Sequence, residues 1–456
     1  MREISNGLAS IGLLNSIFSK HWLNREAVAL WTDGATLQAW LDVEVALAQA
    51  QAQLGLIPKP AAAAIAACAR AEHLDVERMQ QDVAHCMHPF VPVLHQLEEL
   101  CGDEAAGYLH WGVTTQNIFD TGAALQLKRS HSLLVGFLDA GLLAIGQLAQ
   151  THRGTPQAGR THGQHALPIT FGFKVAGWHA ELRRQSRRIR EASQGAFCAS
   201  MGGAVGTFSA MQGKGRSTQD LVAKILELES ADIPVRTAFD AQASYLSALA
   251  QMGTTIEKIA NEIVFMQRTE IAEVGEAFHF GKIGSSTMAQ KRNPQHALNL
   301  VGLSRLLRSR VPVALECMLR GNEGDSASSN VGDMIVPEVV ILAVSLLDGL
   351  GTLIRGLGVN AQAMAKNLEM TQGLILSEAV MMRLAQQVGR HKAHKILYEV
   401  AQASTETGDS LGEGLRKHAD LQALLPTLNL PDLLDAKNYL GEASACVDDE
   451  LARPLV

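Results

Sequence analysis

The stretch Leu249-Ala250-Gln251-Met252-Gly253-Thr254-Thr255-Ile256-Glu257-Lys258-Ile259-Ala260-Asn261-Glu262-Ile263-Val264-Phe265-Met266 decides the fold class. Its apolar residues Leu249, Met252, Ile256, Ile259, Ile263 and Met266 are separated by steps of 3, 4, 3, 4 and 3. That spacing lines one face of a helix in a bundle, whereas a half-buried strand would alternate every second residue. Polar Glu257, Lys258, Asn261 and Glu262 occupy the other face. The pattern predicts a long core helix within residues 246–274.

Working outward, similar patterns predict helices from about Phe119 to His152, Pro168 to Arg190, Pro294 to Leu319 and Pro337 to Leu357. A shorter one runs from Leu37 to Leu56 and stops at Gly55-Leu-Ile-Pro58. No alternating strand run and no fixed repeat interrupts them. The chain has 456 residues, 47% of them hydrophobic but only 5% aromatic, a balance that suits closely packed helices. The expected class is all-α with three helical domains: residues 1–113, a central long-helix bundle at 114–364, and 365–456, where Gly373, Gly389, Gly408, Pro426 and Pro431 punctuate short helices.

The net charge of −7 gives no electrostatic footprint for nucleic acid or an anionic membrane, so neither is an expected partner. Cys68, Cys86, Cys101, Cys198, Cys317 and Cys446 show no CxxC pair or framework spacing and are expected to be reduced. No signal peptide is read at the N-terminus, and the apolar run Met334 to Leu347, broken by Pro337 and Glu338, falls short of a span. A soluble, cytoplasmic protein is expected.

Three Gly, Ser and Thr-rich segments break the helical background: His110 to Gly122, Gly159 to Gly172 and Gly281 to Pro294. The third reads Gly284-Ser285-Ser286-Thr287-Met288-Ala289-Gln290-Lys291-Arg292-Asn293-Pro294. Small residues leave backbone N–H groups free to face an anion, and Lys291 adds a positive charge, although the same run also reads as a polar linker with Pro294 starting a helix. The pattern Gly-Ser-Ser-x-Met-x-x-Lys-x-Asn-Pro resembles the signature of the aspartase/fumarase superfamily. The resemblance implies Ser285 as the base, Lys291 and Asn293 holding a substrate carboxylate, and Ser286 and Met288 in the substrate site. Ala289 stands where the family usually has proline, which leaves the loop less constrained by about 0.4–1 kcal/mol.

The second segment, Gly159-Arg160-Thr161-His162-Gly163-Gln164-His165-Ala166-Leu167-Pro168, spaces two histidines three apart. No third ligand or carboxylate adjoins them, so no metal is expected. Thr-His-x-Gln-x-Ala-x-Pro resembles another superfamily motif, in the Thr-His-Gly-x-His form of adenylosuccinate lyases. That resemblance implies His162 in leaving-group protonation or substrate orientation, with Thr161 and Gln164 binding substrate; His165, His85 and His88 are left without a role. The first segment, His110-Trp111-Gly112-Val113-Thr114-Thr115-Gln116-Asn117-Ile118-Phe119-Asp120-Thr121, resembles the family's first motif. The Thr114 and Thr115 hydroxyls and the Gln116 and Asn117 amides can bond a second carboxylate, or the segment is a hydroxyl-rich helix N-cap. Asn117 replaces the aspartate of many members.

The resemblance covers nearly the whole chain. Met201-Gly-Gly-Ala-Val-Gly-Thr207 and the 257–270 region look like adenylosuccinate lyases, whereas Asn367 to Leu374 and Tyr439-Leu-Gly441 look more like carboxymuconate cycloisomerases. The glycine cluster is no phosphate loop, since Phe208 and Gly215 occupy its required glycine and hydroxyl positions. No metal, nucleotide, flavin or pyridoxal cofactor is implied. The run Arg183, Arg184, Arg187, Arg188, Arg190 lies between Glu181 and Glu191 and reads as a solvated or salt-bridged helix face.

By this resemblance the chain is a fumarate-forming lyase. Proton loss beside a carboxylate gives a doubly charged aci-carboxylate, which N–H donors and Lys291 would stabilise over the ground state. Adenylosuccinate lyases typically carry Glu-Arg-Asp and Ser-Ser-x-Glu-Arg, but the matching stretch is Glu323-Gly324-Asp325-Ser326-Ala327-Ser328-Ser329-Asn330-Val331-Gly332, with glycine for both arginines. The phosphate grip is missing. Bacterial carboxymuconate cycloisomerases usually lack the histidine matched by His162. The expected reaction is therefore elimination of an amine or alcohol from an N-substituted aspartate or similar succinyl adduct, with lactonisation and adenylosuccinate cleavage as alternatives. Retention of Ser285, Lys291, Asn293 and His162 opposes a purely structural role. The family also implies a homotetramer with active sites shared between subunits.

Overall fold

The structure is a computed structural model that describes Ser19 and residues 21–278 and 287–455. About two thirds of the chain, 67%, is helical, and the few strands are short, so the all-α class holds. Five long helices carry it: Thr115–Thr151, Phe171–Ser193, Asp240–Met266, Gln295–Glu316 and Ser326–Arg355. The seam read from the sequence is real, because Leu249, Met252, Ile256, Ile259, Ile263 and Met266 are all fully buried.

Prolines account for two displaced boundaries. Pro337 was expected to open a helix but lies inside Ser326–Arg355. Its missing N–H and ring clash cost about 3 kcal/mol, and burial of Ile335, Val336, Val339 and Val340 on both sides of it offsets that cost. Pro168 was likewise expected in a first helical turn, but it lies in a strand and the helix starts at Phe171. Strands Pro156–Thr161 and Gln164–Thr170 form an antiparallel hairpin in which Ala158 faces Pro168. A two-stranded sheet has only edges, where proline is tolerated. The register shifts between Ala158 and Arg160, and a Cβ on the intervening Gly159 would lie 2.7 Å from the Leu167 carbonyl oxygen.

The chain divides into two compact units. The first comprises the part up to Leu138 together with Gln185–Thr254 and Gly302–Asp348. Its core gathers Leu37, Leu41 and Leu47 of the Asp33–Gln53 helix with Phe90, Val93, Leu97, Ile118, Met201 and Val222. The second comprises Asp139–Arg184, Thr255–Val301 and the part from Gly349. One of its clusters packs Val380, Leu384, Ile396, Val400, Leu411 and Leu415, and another sets Ala158 of the hairpin against Leu368, Ile375 and Leu376.

Two expectations change. Cys68 and Cys101 are joined by a disulfide with Cα atoms 5.9 Å apart, tying the Lys59–Cys68 helix to Val91–Cys101. The pairing is set by helix packing and leaves no trace in spacing. Thr115–Thr151 and Ser326–Arg355 are also long and apolar enough to cross a membrane, although 72% of the apolar window of Ser326–Arg355 is buried in the protein, as in a core helix.

Gly172 sits where two chain segments touch: a Cβ there would lie 2.6 Å from the carbonyl oxygens of both Ala149 and His152. Backbone cannot yield as a side chain can. Gly172→Ala should lower the unfolding free energy by about 1–3 kcal/mol in urea titrations; a loss under about 0.5 kcal/mol would show that the two segments separate freely.

Candidate active site

In the first unit, the His110–Thr115 segment is anchored from below by the Asp33–Gln53 helix. Buried Glu44 accepts from the His110 backbone N–H at 3.2 Å and pairs with His110 Nδ1 at 2.6 Å, and Gln51 donates to the Trp111 carbonyl at 2.7 Å. Asn117 is fully buried. Its Oδ1 accepts from the Thr114 N–H at 3.1 Å and from the Gly203 N–H at 3.0 Å. The first bond runs from the third helical residue back to the residue before the helix, half of a capping box. Gln116 Nε2 donates to Asp120 at 2.8 Å. The helix-cap reading therefore takes the Asn117 oxygen, while its buried Nδ2 has no partner among the described residues. A buried donor left unmet is costly unless something else fills it.

His88, which the motifs leave without a role, lies against Thr115. Its Nδ1 accepts from the N–H groups of Phe90 at 3.2 Å and Val91 at 3.3 Å, so in the neutral ring the proton sits on Nε2. That atom lies 3.4 Å from Thr115 Oγ1. Burial and the neighbouring His110 lower the His88 pKa, which favours this neutral form. Only the contact with Thr115, across 27 positions of sequence, reveals the residue.

In the second unit, His162 and Gly163 form the two-residue tip of the hairpin between the paired Thr161 and Gln164. Both have positive φ, 52° and 77°, the pattern of a type I′ turn. His162 holds a conformation that a non-glycine residue adopts at some cost, and Thr161, His162 and Gln164 all stand exposed on this chain. His165 faces Arg160 across the hairpin; burial, then the Arg160 charge, lowers its pKa.

The hairpin's base is fixed by Glu273, which has no solvent exposure. Its carboxylate accepts from Arg160 at 2.7 and 3.0 Å, from Gln157 at 2.7 Å and from Asn367 at 2.8 Å. Burial alone would push Glu273 upward in pKa, but these bonds together hold it below the usual carboxylate value.

Of the third segment, Ser285 and Ser286 lie outside the described residues. Met288 and Lys291 are exposed, and Asn293 is half-buried. The Gln295–Glu316 helix that follows is capped by Glu276, whose carboxylate accepts from the His296 N–H at 3.1 Å and the Ala297 N–H at 2.8 Å. The expected site residues therefore fall into two sets, Thr114, Thr115, Gln116 and Asn117 in one unit and Thr161, His162, Gln164, Met288, Lys291 and Asn293 in the other.

A family model described as "Lyase" matches residues 23–306, and one described as "Adenylosuccinate lyase C-terminus" matches residues 373–449. This chain belongs to the aspartase/fumarase superfamily of lyases. It is a fumarate-lyase-type enzyme. Among this superfamily's curated members, the N-acetyl-S-(2-succino)cysteine lyase of Dickeya dadantii is 35% identical over 93% of each chain. The adenylosuccinate lyase of Pyrococcus abyssi is also 35% identical, over 93% of this chain and 95% of its own. The 3-carboxy-cis,cis-muconate lactonizing enzyme of Pseudomonas putida superposes with a TM-score of 0.89 at 30% identity, covering 96% of this chain and 98% of that one.

Glu273→Gln removes the charge that Arg160 needs while keeping the side chain's shape. Leaving a buried guanidinium uncompensated should lower the unfolding free energy by about 3–5 kcal/mol at neutral pH. A loss below about 1 kcal/mol in denaturant titrations would mean that the hairpin is held by other contacts.

Proposed function

We propose that this lyase releases fumarate from a 2-substituted succinate by β-elimination, with a thiol adduct, N-acetyl-S-(2-succino)cysteine, as the first substrate to try. The observation that carries the reading is the joint presence of the Gly-Ser-Ser loop chemistry and full-length similarity to two N-acetyl-S-(2-succino)cysteine lyases at 35% and 36% identity. Glycine at 324 and 332 weighs against a nucleotide leaving group, because no arginine stands there to grip its phosphate.

In this mechanism the Ser285 alkoxide, stabilised by loop N–H groups and Lys291, takes the proton from C3 of the succinyl group. The electron pair of that C–H bond is held on the adjacent carboxylate as an aci-carboxylate and then forms the C2=C3 double bond. The bond from C2 to the leaving heteroatom breaks, and its electron pair departs on sulfur or nitrogen. Lys291 and Asn293 hold the carboxylate that carries the extra charge, where a positive site gains most in the transition state. His162 supplies a proton to the leaving group. A thiolate needs that proton less than an amine does, since a thiol is the stronger acid. Thr114, Thr115 and Gln116 bind the other carboxylate, with the Nε2–H of His88 turned toward Thr115. Completion of the site by residues from neighbouring subunits of a homotetramer belongs to the same proposal.

The test is fumarate release, followed by ultraviolet absorbance, from N-acetyl-S-(2-succino)cysteine, with adenylosuccinate as comparator. The thiol adduct should be favoured at least tenfold in kcat/KM, and Ser285→Ala should lower kcat by about 10²- to 10⁴-fold. Undiminished turnover by Ser285→Ala would remove the base assignment, and preference for adenylosuccinate would overturn the substrate class.

A further inference from the structure

The glycines that replace the family's arginines leave a question of charge, and the first unit contains an answer to it. Gly324 has φ 151°, and a Cβ there would lie 3.2 Å from Arg236 Cζ and 3.3 Å from its Nε. Arg236 thus lies against the position from which an arginine is missing, and the two features depend on each other: a larger residue at 324 would press on the Arg236 guanidinium.

Arg236 is held without neutralisation. Its Nη1 donates to the Ala204 carbonyl at 3.0 Å, and among the described residues its buried Nε has no partner and no carboxylate forms an ion pair with it. Arg320 is arranged in the same way, donating to the Arg236 carbonyl at 2.7 Å and the Cys317 carbonyl at 3.2 Å with its guanidinium over the Phe239 ring. Guanidinium groups hydrogen-bonded to neutral carbonyls retain a charge that an anion can meet.

Their position ties them to the candidate site. Ala204, which holds Arg236, follows Gly203, whose N–H is bonded to Asn117. Both arginines act electrostatically on Asp120, the partner of Gln116. Asp120 competes for both arginines, and Asp325 and Asp333 act on Arg320 as well. Burial pushes the Asp120 and Asp333 carboxyls upward against the pull of the arginines, and Asp325 is engaged by the Gly321 and Ser328 N–H groups, which weakens each claim.

We propose that Arg236 is a specificity-determining residue that binds a carboxylate carried by the leaving group, so that this enzyme takes succinyl adducts of small carboxylate-bearing thiols or amines. Gly324 makes the room, and Arg320 adds a second positive charge behind it. The inference rests on the β-elimination reading above and narrows its substrate class. A planar guanidinium suits a carboxylate through two parallel bonds, and a carboxamide in its place forfeits the charge-assisted part of the interaction.

The experiment compares N-acetyl-S-(2-succino)cysteine with the analogue whose cysteine carboxylate alone is a carboxamide, in wild-type enzyme, Arg236→Gln and Arg236→Lys. Wild-type should favour the acid at least tenfold in kcat/KM, Arg236→Gln should bring the acid-to-amide ratio close to one, and Arg236→Lys should restore part of it. A merely structural role would lower both substrates together and leave the ratio in place, which overturns the proposal. Calorimetric titration of N-acetylcysteine and its amide into the same proteins gives a readout independent of turnover. Acid-selective binding that Arg236→Gln abolishes, with no fumarate formed from either adduct, would sustain Arg236 and reject the elimination reading. Equal binding of acid and amide to wild-type would reject Arg236 whatever the turnover. Gly324→Ala tests the space itself: it keeps the charge but crowds the guanidinium, and it should lower the same ratio.

Discussion

A carboxylate with no access to water must be met by donors, and Glu273 meets that demand with two nitrogens of Arg160, the Gln157 amide and the Asn367 amide. Each donor comes from a different stretch of the chain or from a different point on the hairpin. Arg160 and Gln157 belong to one strand of it, and Asn367 belongs to the Ala361–Glu369 helix. A hairpin of two short strands is only marginally stable in water, so its tip can hold His162 in one place only if its base is fixed. The buried ion pair adds little net stability compared with an apolar core, but it specifies one arrangement because any other leaves a charge unmet.

The helical architecture was legible because burial on one face imposes a period, and the 249–266 seam displays it over five steps without a break. The boundaries at Pro168 and Pro337 were not, since proline signals a helix start only when tertiary packing does not override it. Burial around Pro337 and strand pairing at Pro168 both did so. The hairpin escaped because its strands are short and carry no clean alternation, although His162-Gly163 at its tip has the glycine that a type I′ turn favours. The Cys68–Cys101 bond and the contact of His88 with Thr115 depend on helices that meet only in three dimensions.

The candidate site was legible as a set of motifs and only in part as geometry. Thr114, Thr115, Gln116 and Asn117 do gather at one helix start, but Asn117 spends its oxygen on the helix cap and on Gly203. The two glycine positions do not account for every guanidinium near them. Gly324 subtracts a side chain from one place, and Arg236 brings a guanidinium to the same place from elsewhere in the chain. Charge at a site is a property of space, and one sequence position read alone cannot report it.

The most direct test of the account asks whether one positioned base moves one proton. The enzyme is run in reverse, with fumarate and N-acetylcysteine in deuterium oxide, and the adduct is read by proton NMR. Addition of the thiol sulfur to one carbon delivers one solvent deuteron to the other. The account predicts formation faster than the spontaneous addition, with deuterium at one of the two methylene positions only. Adduct formed no faster than without enzyme, or labelled equally at both positions, would contradict it.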